Sequence, residues 1–249
     1  MANMAAVGMK IGTEFDPPSS VAPASAAQRV YEVLRQEIIS LALPPGTVLS
    51  RPDLSERFGV SQTPIRDALQ KLEQEGLVRI QPQSKTLVRR IDIKQLFETH
   101  FLRVSVECEV VRRLAQNPHD DVVKRARAIV DMQKALVGQV EQMDMFNQQD
   151  RMFHRTLFDG AGAGSIHDLL AGKTGQLARC QRLDLPKKGK MATIIADHTA
   201  ILDGIESGNP EMAAAAMRQH LSGTIQRVET LRAEHPDFFT QNENPIFHD

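Results

Sequence analysis

The segment NQQDRMFH, residues 147 to 154, places a carboxylate and an imidazole four residues apart, at Asp150 and His154. The surrounding residues have helical spacing, and positions i and i+4 of a helix lie roughly 5–6 Å apart at Cβ. At that separation the two side chains can share a metal ion, exchange a proton or form a hydrogen bond. The pair alone leaves these alternatives open.

A second group of polar side chains could contact nucleic acid, in the segment GVSQTPIRDALQKL. Ser61 is suited to cap a helix through its hydroxyl, and Pro64 falls in the first turn, where a missing N–H costs little. Gln62, Thr63 and Arg66 then face outward at the helix N-terminus, which is the part of a recognition helix that enters a major groove. Arg66 could instead pair with a neighbouring carboxylate on a solvated helix.

The elements around this segment follow from apolar spacing and from turn residues such as LPPG. They are, in order, helices at about 27–41, around 52–58 and after Ser61, and strands at 77–80 and 86–91. Two strands after a helix-turn-helix are typical of a winged helix-turn-helix domain. We predict this domain over residues 27–92, behind a flexible, Pro/Ala/Ser-rich arm at 1–26.

The remainder of the chain has helical spacing throughout. A helix of about 25 residues starts near 93, with a buried stripe at Phe97, Phe101, Val104, Cys108 and Val111. Further helices are predicted near 119–142, 145–159, 164–183, 190–207 and 210–233. They form an antiparallel bundle of about six or seven helices over 93–234, followed by a tail at 235–249, which makes the fold mainly α.

Composition agrees with a helical globular protein, since 41% of the 249 residues are hydrophobic and only 4% are aromatic. The net charge of −1 offers no whole-chain argument for nucleic acid, although residues 26–90 hold 10 Lys or Arg against 7 Asp or Glu. The two cysteines are far apart and predict reduced core thiols. No long apolar run or secretory signal is present, so no membrane partner and a cytoplasmic location are expected.

Two sets of residues together resemble a known family. PGTVLSRPDLSERFGVSQTPIRDALQKLEQEGLV resembles the winged-helix domain of GntR-family transcriptional regulators. The helical remainder resembles the FCD domain, the ligand-sensing domain of the FadR-like branch of that family. There FLRVSVE fits Arg-x-x-x-Glu, DRMFH fits Asp-x-x-Phe-His, and residues 197–221 fit the stretch that holds two more histidines. The resemblance covers about residues 28–232.

The resemblance implies a homodimer whose paired winged helices bind a short palindromic operator in double-stranded DNA. Arg66 would read a guanine edge with two donors. Gln62 stands where the family usually has Arg, so one guanine contact becomes an amide that suits adenine or a phosphate. The wing tip reads Gln83-Ser84-Lys85 instead of Arg-Gly, which leaves Lys85 as a phosphate contact. The predicted DNA-binding residues are Arg51, Ser61, Gln62, Thr63, Arg66 and Lys85.

The resemblance also adds partners to the helical pair. The matched residues give one carboxylate and three imidazoles, a ligand set suited to Zn²⁺ or Ni²⁺, and they are Asp150, His154, His198 and His220. In the resembling regulators these positions bind a metal that can hold an organic acid. Arg103 could pair with Glu107 or face the cavity as a fork for a carboxylate, and Arg182 is a second candidate for the effector.

We therefore predict a DNA-binding transcriptional regulator, not an enzyme, whose operator affinity is controlled by a small carboxylate at or near a metal site. The alternative is a metal-dependent hydrolase or lyase that uses the same four residues to activate water. That alternative needs a general base beyond the ligands, for which Glu107 is the nearest candidate. A third possibility is a purely structural metal.

Overall fold

The computed structural model describes residues 25–81, 85–117 and 119–241. Most of the predicted N-terminal arm, the wing-tip residues Gln83 and Ser84, and the end of the predicted C-terminal tail lie outside these ranges. Within the described part of the chain, no helix is both long enough and apolar enough to cross a membrane.

The N-terminal part is a helix-turn-helix with a wing. Its elements are α1 (Ala26–Ile39), β1 (Val48–Ser50), α2 (Arg51–Phe58), α3 (Gln62–Gln74), β2 (Val78–Ile80) and β3 (Lys85–Val88). Gly59 ends α2 with a φ of 63°, a left-handed conformation that favours glycine. Ser61 occupies the N-cap position of α3, but its exposed side chain makes no capping hydrogen bond, so that predicted role of its hydroxyl is wrong.

Buried apolar residues of α3 fix its orientation. Ile65, Leu69 and Leu72 are fully buried against α1 and leave the opposite face of the helix in solvent. The three strands form an antiparallel sheet in the order β1-β3-β2, in which Val48 pairs with Leu87. The predicted strands correspond to β2 and β3, whereas the three-residue strand β1, which directly precedes α2, was not predicted.

The second part is a bundle of helices. They are α4 (Ile93–Gln116), α5 (Asp120–Lys134), α6 (Met143–Gly160), α7 (Gly164–Ala171), α8 (Gly175–Asp184), α9 (Lys190–Glu206), α10 (Pro210–Ile225) and α11 (Val228–Glu234). The mainly α prediction is confirmed. The predicted helix 164–183 is two helices, α7 and α8, because the chain turns at 172–174, and 210–233 is likewise interrupted at Gln226 and Arg227.

Helix α8 joins the two parts. Gln176 donates a 2.8 Å hydrogen bond to the carbonyl of Gly76, and the fully buried Arg179 donates to the carbonyls of Arg89 and Arg90, the first at 2.6 Å. Burial, with a smaller contribution from Arg89, lowers the pKa of Arg179 to about 10. The buried guanidinium of Arg179, in the helical bundle, binds backbone carbonyls of the N-terminal part and so fixes the two parts relative to each other.

Candidate metal centre and DNA-binding surface

Three helices bring one carboxylate and three imidazoles together, as the resemblance implied. Asp150 and His154 lie on α6, His198 on α9 and His220 on α10, and one ligand atom from each lies within 4.8 Å of all the others. We call these four residues the metal cluster. A tight convergence of potential ligands from three separate helices cannot arise from a local hydrogen bond within α6.

Close packing between helices produces this convergence. Gly204 of α9 lies so near α10 that a Cβ there would be 2.6 Å from the backbone nitrogen of Ala213. This contact holds the helices that carry His198 and His220 side by side. Phe153 of α6 is fully buried and stacks on the His198 ring at 3.9 Å between centroids, so the apolar core also sets the orientation of that imidazole.

Each imidazole has a side-chain oxygen from another helix beside its Nδ1. These oxygens leave Nε2 directed at the common point, as in metal-binding histidines, although the contact of His220 is longer than a hydrogen bond. The Nδ1 contacts are His154 with Glu107 at 2.6 Å, His198 with Gln133 at 2.8 Å and His220 with Asp197 at 3.8 Å.

Two distances within the cluster match those between ligands of one metal ion. Two nitrogen or oxygen ligands about 2.1 Å from one ion, at angles between 90° and 110°, are roughly 3.0–3.4 Å apart. The Nε2 atoms of His154 and His220 are 3.1 Å apart, and Nε2 of His198 is 3.4 Å from Asp150 Oδ1. The Nε2 atom of His198 is fully buried and lacks a hydrogen-bond partner, so its lone pair is available to bind a cation.

The electrostatics of the cluster favour ligands without protons. Burial, reinforced by the charge of His220, lowers the pKa of His198 to about 3, and burial also lowers the pKa of His220. Burial by itself would raise the pKa of Asp150, but the 3.4 Å contact with His198 and the neighbouring imidazoles hold this pKa well below its usual range. Metal binding requires neutral imidazoles and an ionised carboxylate, which is the state that these shifts favour at neutral pH.

Arg103 both pairs with Glu107 and reaches the cluster. Its Nε donates to Glu107 Oε1 at 2.6 Å, and its Nη2 lies 3.4 Å from His154 Nε2. Burial by itself would raise the pKa of the Glu107 carboxyl, but Arg103 and His154 hold it well below its usual range. Glu107 is therefore an ionised carboxylate that already has two partners.

Two cavities meet at the metal cluster, with Arg103 and Asp150 in the walls of both. The larger, of about 330 Å³, runs along α9 and α10 past His220. The smaller, of about 100 Å³, lies on the His154 side and includes Ile39 of α1. Arg182, the second predicted effector residue, pairs with Asp144 at 2.7 Å and does not line either of these two cavities.

The predicted DNA-binding residues of α3 are exposed to solvent, in contrast to the buried and half-buried residues of the metal cluster. Ser61, Gln62, Thr63 and Arg66 are exposed at the start of α3. The only ion pair of Arg66 among the described residues is a 3.5 Å contact with Asp67, in which both side chains are about half exposed. Such a pair contributes little and leaves the guanidinium available.

The wing brings two more of these residues together. Ser50 pairs with Lys85 in the β1–β3 ladder, so Lys85 lies beside the start of α2, where Arg51 is the first residue. Lys85 is exposed, and the buried Nε of Arg51 has no hydrogen-bond partner. The two cations thus form a basic edge next to α3.

Sequence reasoning missed the residues that orient the imidazoles. Asp197 directly precedes His198, yet it faces His220, and Gln133 comes from α5, which carries none of the predicted ligands. The adjacency of Asp197 and His198 was a weak signal. The sequence contains no signal for the role of Gln133, because an isolated Gln is common in amphipathic helices.

Family models match both the N-terminal part and the helical bundle of this chain. The family model described as bacterial regulatory proteins, gntR family, matches residues 26–88, and the FCD domain model matches residues 98–223. An HTH-type transcriptional regulator in an unstable DNA locus of Streptomyces ambofaciens is 32% identical, over 84% of this chain and 88% of its own. The HTH-type transcriptional repressor RspR of Escherichia coli K12 is 27% identical, over 94% and 100% respectively.

Solved structures show the same fold. The GntR regulator of Rhodococcus sp. RHA1 superposes with a TM-score of 0.66 at 24% identity, over 83% of this chain and 99% of that one. Escherichia coli McbR/YncC gives a TM-score of 0.69 at 16% identity, over 85% and 99%. At these identities the likeness concerns the arrangement of helices and the wing, not the ligand.

Proposed function

The chain belongs to the GntR family of bacterial regulatory proteins and carries an FCD domain, and we propose that a small carboxylate, held at a divalent metal ion in that domain, controls its affinity for operator DNA. As its family and relatives indicate, the protein is a transcriptional regulator and not an enzyme. The observation that carries the proposal is the convergence of the four cluster ligands within 4.8 Å.

The metal proposal rests on the ligand set and on its surroundings. One carboxylate and three imidazoles suit Zn²⁺ or Ni²⁺, and an ion that accepts five or six ligands keeps positions for water or a further oxygen. A bound divalent ion would supply a Lewis-acidic cation to which a carboxylate oxygen can bind. Glu107, Gln133 and Asp197 would hold the three imidazoles in their binding orientation.

The effector proposal rests on Arg103 and the adjoining cavity. The Arg103 side chain is only 11% exposed, and its Nη2 points to the cluster while Nε is bound to Glu107. A guanidinium beside an open metal position suits one oxygen of a carboxylate whose other oxygen is on the metal. The larger cavity, about 330 Å³, has room for a small organic acid.

The DNA proposal rests on the exposed residues of α3 and the wing. In a homodimer, two copies of α3 would enter successive major grooves of a palindrome, with Arg66 on a guanine and Gln62 on an adenine or a phosphate. Arg51, Thr63 and Lys85 would hold phosphates, and Ser61 is available as a further donor. A partner of this kind places the protein in the cytoplasm.

Helix α8 is our candidate for the link between the effector and DNA. Gln181 lines both cavities, while Gln176 and Arg179 of the same helix hold carbonyls of the DNA-binding domain. A ligand that binds better to one position of α8 than to another would shift the equilibrium between two arrangements of the winged helices. Its effect on DNA affinity is limited by that difference in affinity.

The general base predicted for the hydrolase alternative is unsuited to that role. Glu107, the predicted candidate, is held by Arg103 and His154, and its lowered pKa makes it a poor proton acceptor. The relatives are named as transcriptional regulators, which agrees with this geometry.

A thermal-shift screen of organic acids tests the proposal. We would compare acetate, lactate, citrate and gluconate on protein loaded with Zn²⁺ or Ni²⁺ and on protein treated with a chelator. Stabilisation by an acid only in the loaded protein is expected, since binding to the folded state raises its stability by mass action. If the protein retains no divalent ion even after supplementation, the four-ligand site is wrong.

A further inference from the structure

The larger cavity has an excess of positive charge at the end away from the metal cluster. Its walls contain five cationic side chains and two carboxylates, namely Arg103, Lys187, Lys188, Lys190 and Arg227 against Asp150 and Asp197. Both carboxylates belong to or adjoin the metal cluster, because one is a ligand and the other faces His220. Lys187 and Lys188 lie instead in the segment before α9, Lys190 is the first residue of α9, and Arg227 lies just beyond α10.

Only part of this charge is neutralised within the protein. Lys190 and Arg227 share one buried carboxylate, Asp184, with contacts of 2.8 Å and 2.6 Å. One negative charge thus serves two positive ones. Lys188 is exposed on the wall and has no partner among the residues that the structure describes. Lys187, by contrast, is paired with Glu234 at 2.8 Å.

The cationic end of the cavity lies against the helix that carries His220. A Cβ at Gly223 would lie 3.3 Å from the Lys190 ammonium, so this ammonium rests against α10 at a position three residues beyond His220. His220 itself is 8% exposed, lines the same cavity and has a buried Nδ1 without a hydrogen-bond partner.

The N-terminus of α9 lies at the cationic end of the cavity. The helix begins after Gly189, whose φ of 82° is left-handed, and Gly189, Lys190 and Thr193 all line the cavity. The Lys190 N–H donates to the Lys187 carbonyl at 3.0 Å. The partial positive charge at the start of a helix, next to two ammonium groups, favours an anion.

We propose that the effector carries two anionic groups, one directed at the metal cluster and the second held by Lys188, Lys190 and Arg227. The inference rests on the proposed function and gives it a chemical class: short dicarboxylates, or acids with a terminal phosphate. A monocarboxylate would occupy only the metal end.

Calorimetric titration of the metal-loaded protein tests the inference. The probes are malonate, succinate, glutarate and adipate, the monocarboxylates butyrate and valerate, and 3-phosphoglycerate for the phosphate arm. At least one acid with two anionic groups should bind roughly ten- to a hundredfold more tightly than the monocarboxylates. The second anion would form charge-assisted hydrogen bonds that the alkyl end of a monocarboxylate cannot form. Equal affinities for both classes would overturn the inference.

Two variants locate the second anion. Lys188→Gln changes an exposed side chain and should reduce dicarboxylate affinity to within about threefold of butyrate, while butyrate binding stays the same. Lys134→Gln is the matched control, since Lys134 is exposed on α5 and pairs with Asp131. Dicarboxylate binding that is unaffected by both Lys188→Gln and Lys190→Gln contradicts the assignment. A melting temperature for each variant separates a local loss of affinity from misfolding.

Failure of the inference differs from failure of the proposed function. If monocarboxylates bind only with metal and dicarboxylates bind no better, the metal-held acid stands and the second anionic site is wrong. If dicarboxylates bind equally well after chelation and still depend on Lys188, the cationic end stands and the metal-held acid is wrong.

Discussion

The metal cluster and the DNA-binding surface hold their functional side chains in opposite ways. His198 is completely buried and is oriented by Gln133 and Phe153, whereas Arg66 is 55% exposed and has, among the described residues, a single ion pair, with Asp67. A small ion gains its affinity from ligands that are fixed beforehand. DNA is a large partner that itself removes water from the side chains it meets, so its ligands can stay mobile in solvent until contact.

If the two regions are independent in the free protein, removal of a metal ligand should have the largest effect, and only on the metal. His198→Ala should lower affinity for Zn²⁺ roughly a hundredfold or more, since even residues behind the ligands typically contribute 10- to 100-fold. Metal content by mass spectrometry and affinity by competition with a chelator measure this. His119→Ala, at an exposed histidine outside the cluster, should change neither.

Operator binding without acid should change little in His198→Ala. A large loss of DNA affinity in that variant, with an unchanged melting temperature, would mean that the metal holds the DNA-binding arrangement itself and that the two regions are not independent.

Loss of Arg66 should give the next largest effect, and only on DNA. Arg66→Ala should cost about 1–3 kcal/mol of operator binding, roughly 5- to 150-fold, and should relax base preference at one position. Fluorescence anisotropy with duplexes that differ at single positions measures both, and metal content serves as the internal control. Arg113→Ala, on the exposed face of α4, should bind as the wild type does. Unchanged operator affinity in Arg66→Ala would remove this residue from the interface.

The residues behind the metal ligands should matter less than the ligands. Gln133→Leu keeps the volume of the side chain but removes the oxygen that faces His198 Nδ1. Metal affinity should fall by about tenfold, the lower end of the usual range for such partners. The competition assay used for His198→Ala reads this directly, and a loss as large as that of His198→Ala would mean that Gln133 supports the fold of the site and not only one ring.

The smallest effect is expected at the wing. Lys85→Ala should weaken binding by a few-fold across all sequences and lower the slope of log affinity against log salt by about 1, because one phosphate contact is lost. Affinities measured between low and moderate salt give the slope. A change in base preference, with the same salt dependence, would instead make Lys85 a base contact.

Local pattern predicted most of the elements and placed two of the four residues of the metal cluster on one helix face. The stripe of Ile65, Leu69 and Leu72 fixed which face of α3 meets solvent, and the spacing of Asp150 and His154 placed them on one face of α6. These relations lie within one helix, where the period of 3.6 residues determines direction.

Features that depend on contacts between helices could not be predicted from local spacing. His198 and His220 entered through the family resemblance, and the partner of each Nδ1 depends on how α5, α9 and α4 pack. The interruption between α7 and α8 has a similar origin: a Cβ at Gly175 would lie 2.8 Å from Leu77, so the start of α8 is set by its contact with the DNA-binding domain. The helical spacing of the segment gives no sign of that contact.

Operator affinity measured with and without metal and acid tests the central claim most directly. The duplex would come from selection out of a randomised pool, and the acid would be the one that most stabilises the loaded protein in the thermal screen. We predict that this acid changes the dissociation constant for the duplex only when the metal is bound, and that His198→Ala abolishes the change. The same change after chelation, or no change although the acid binds, would contradict control of DNA binding through the metal cluster.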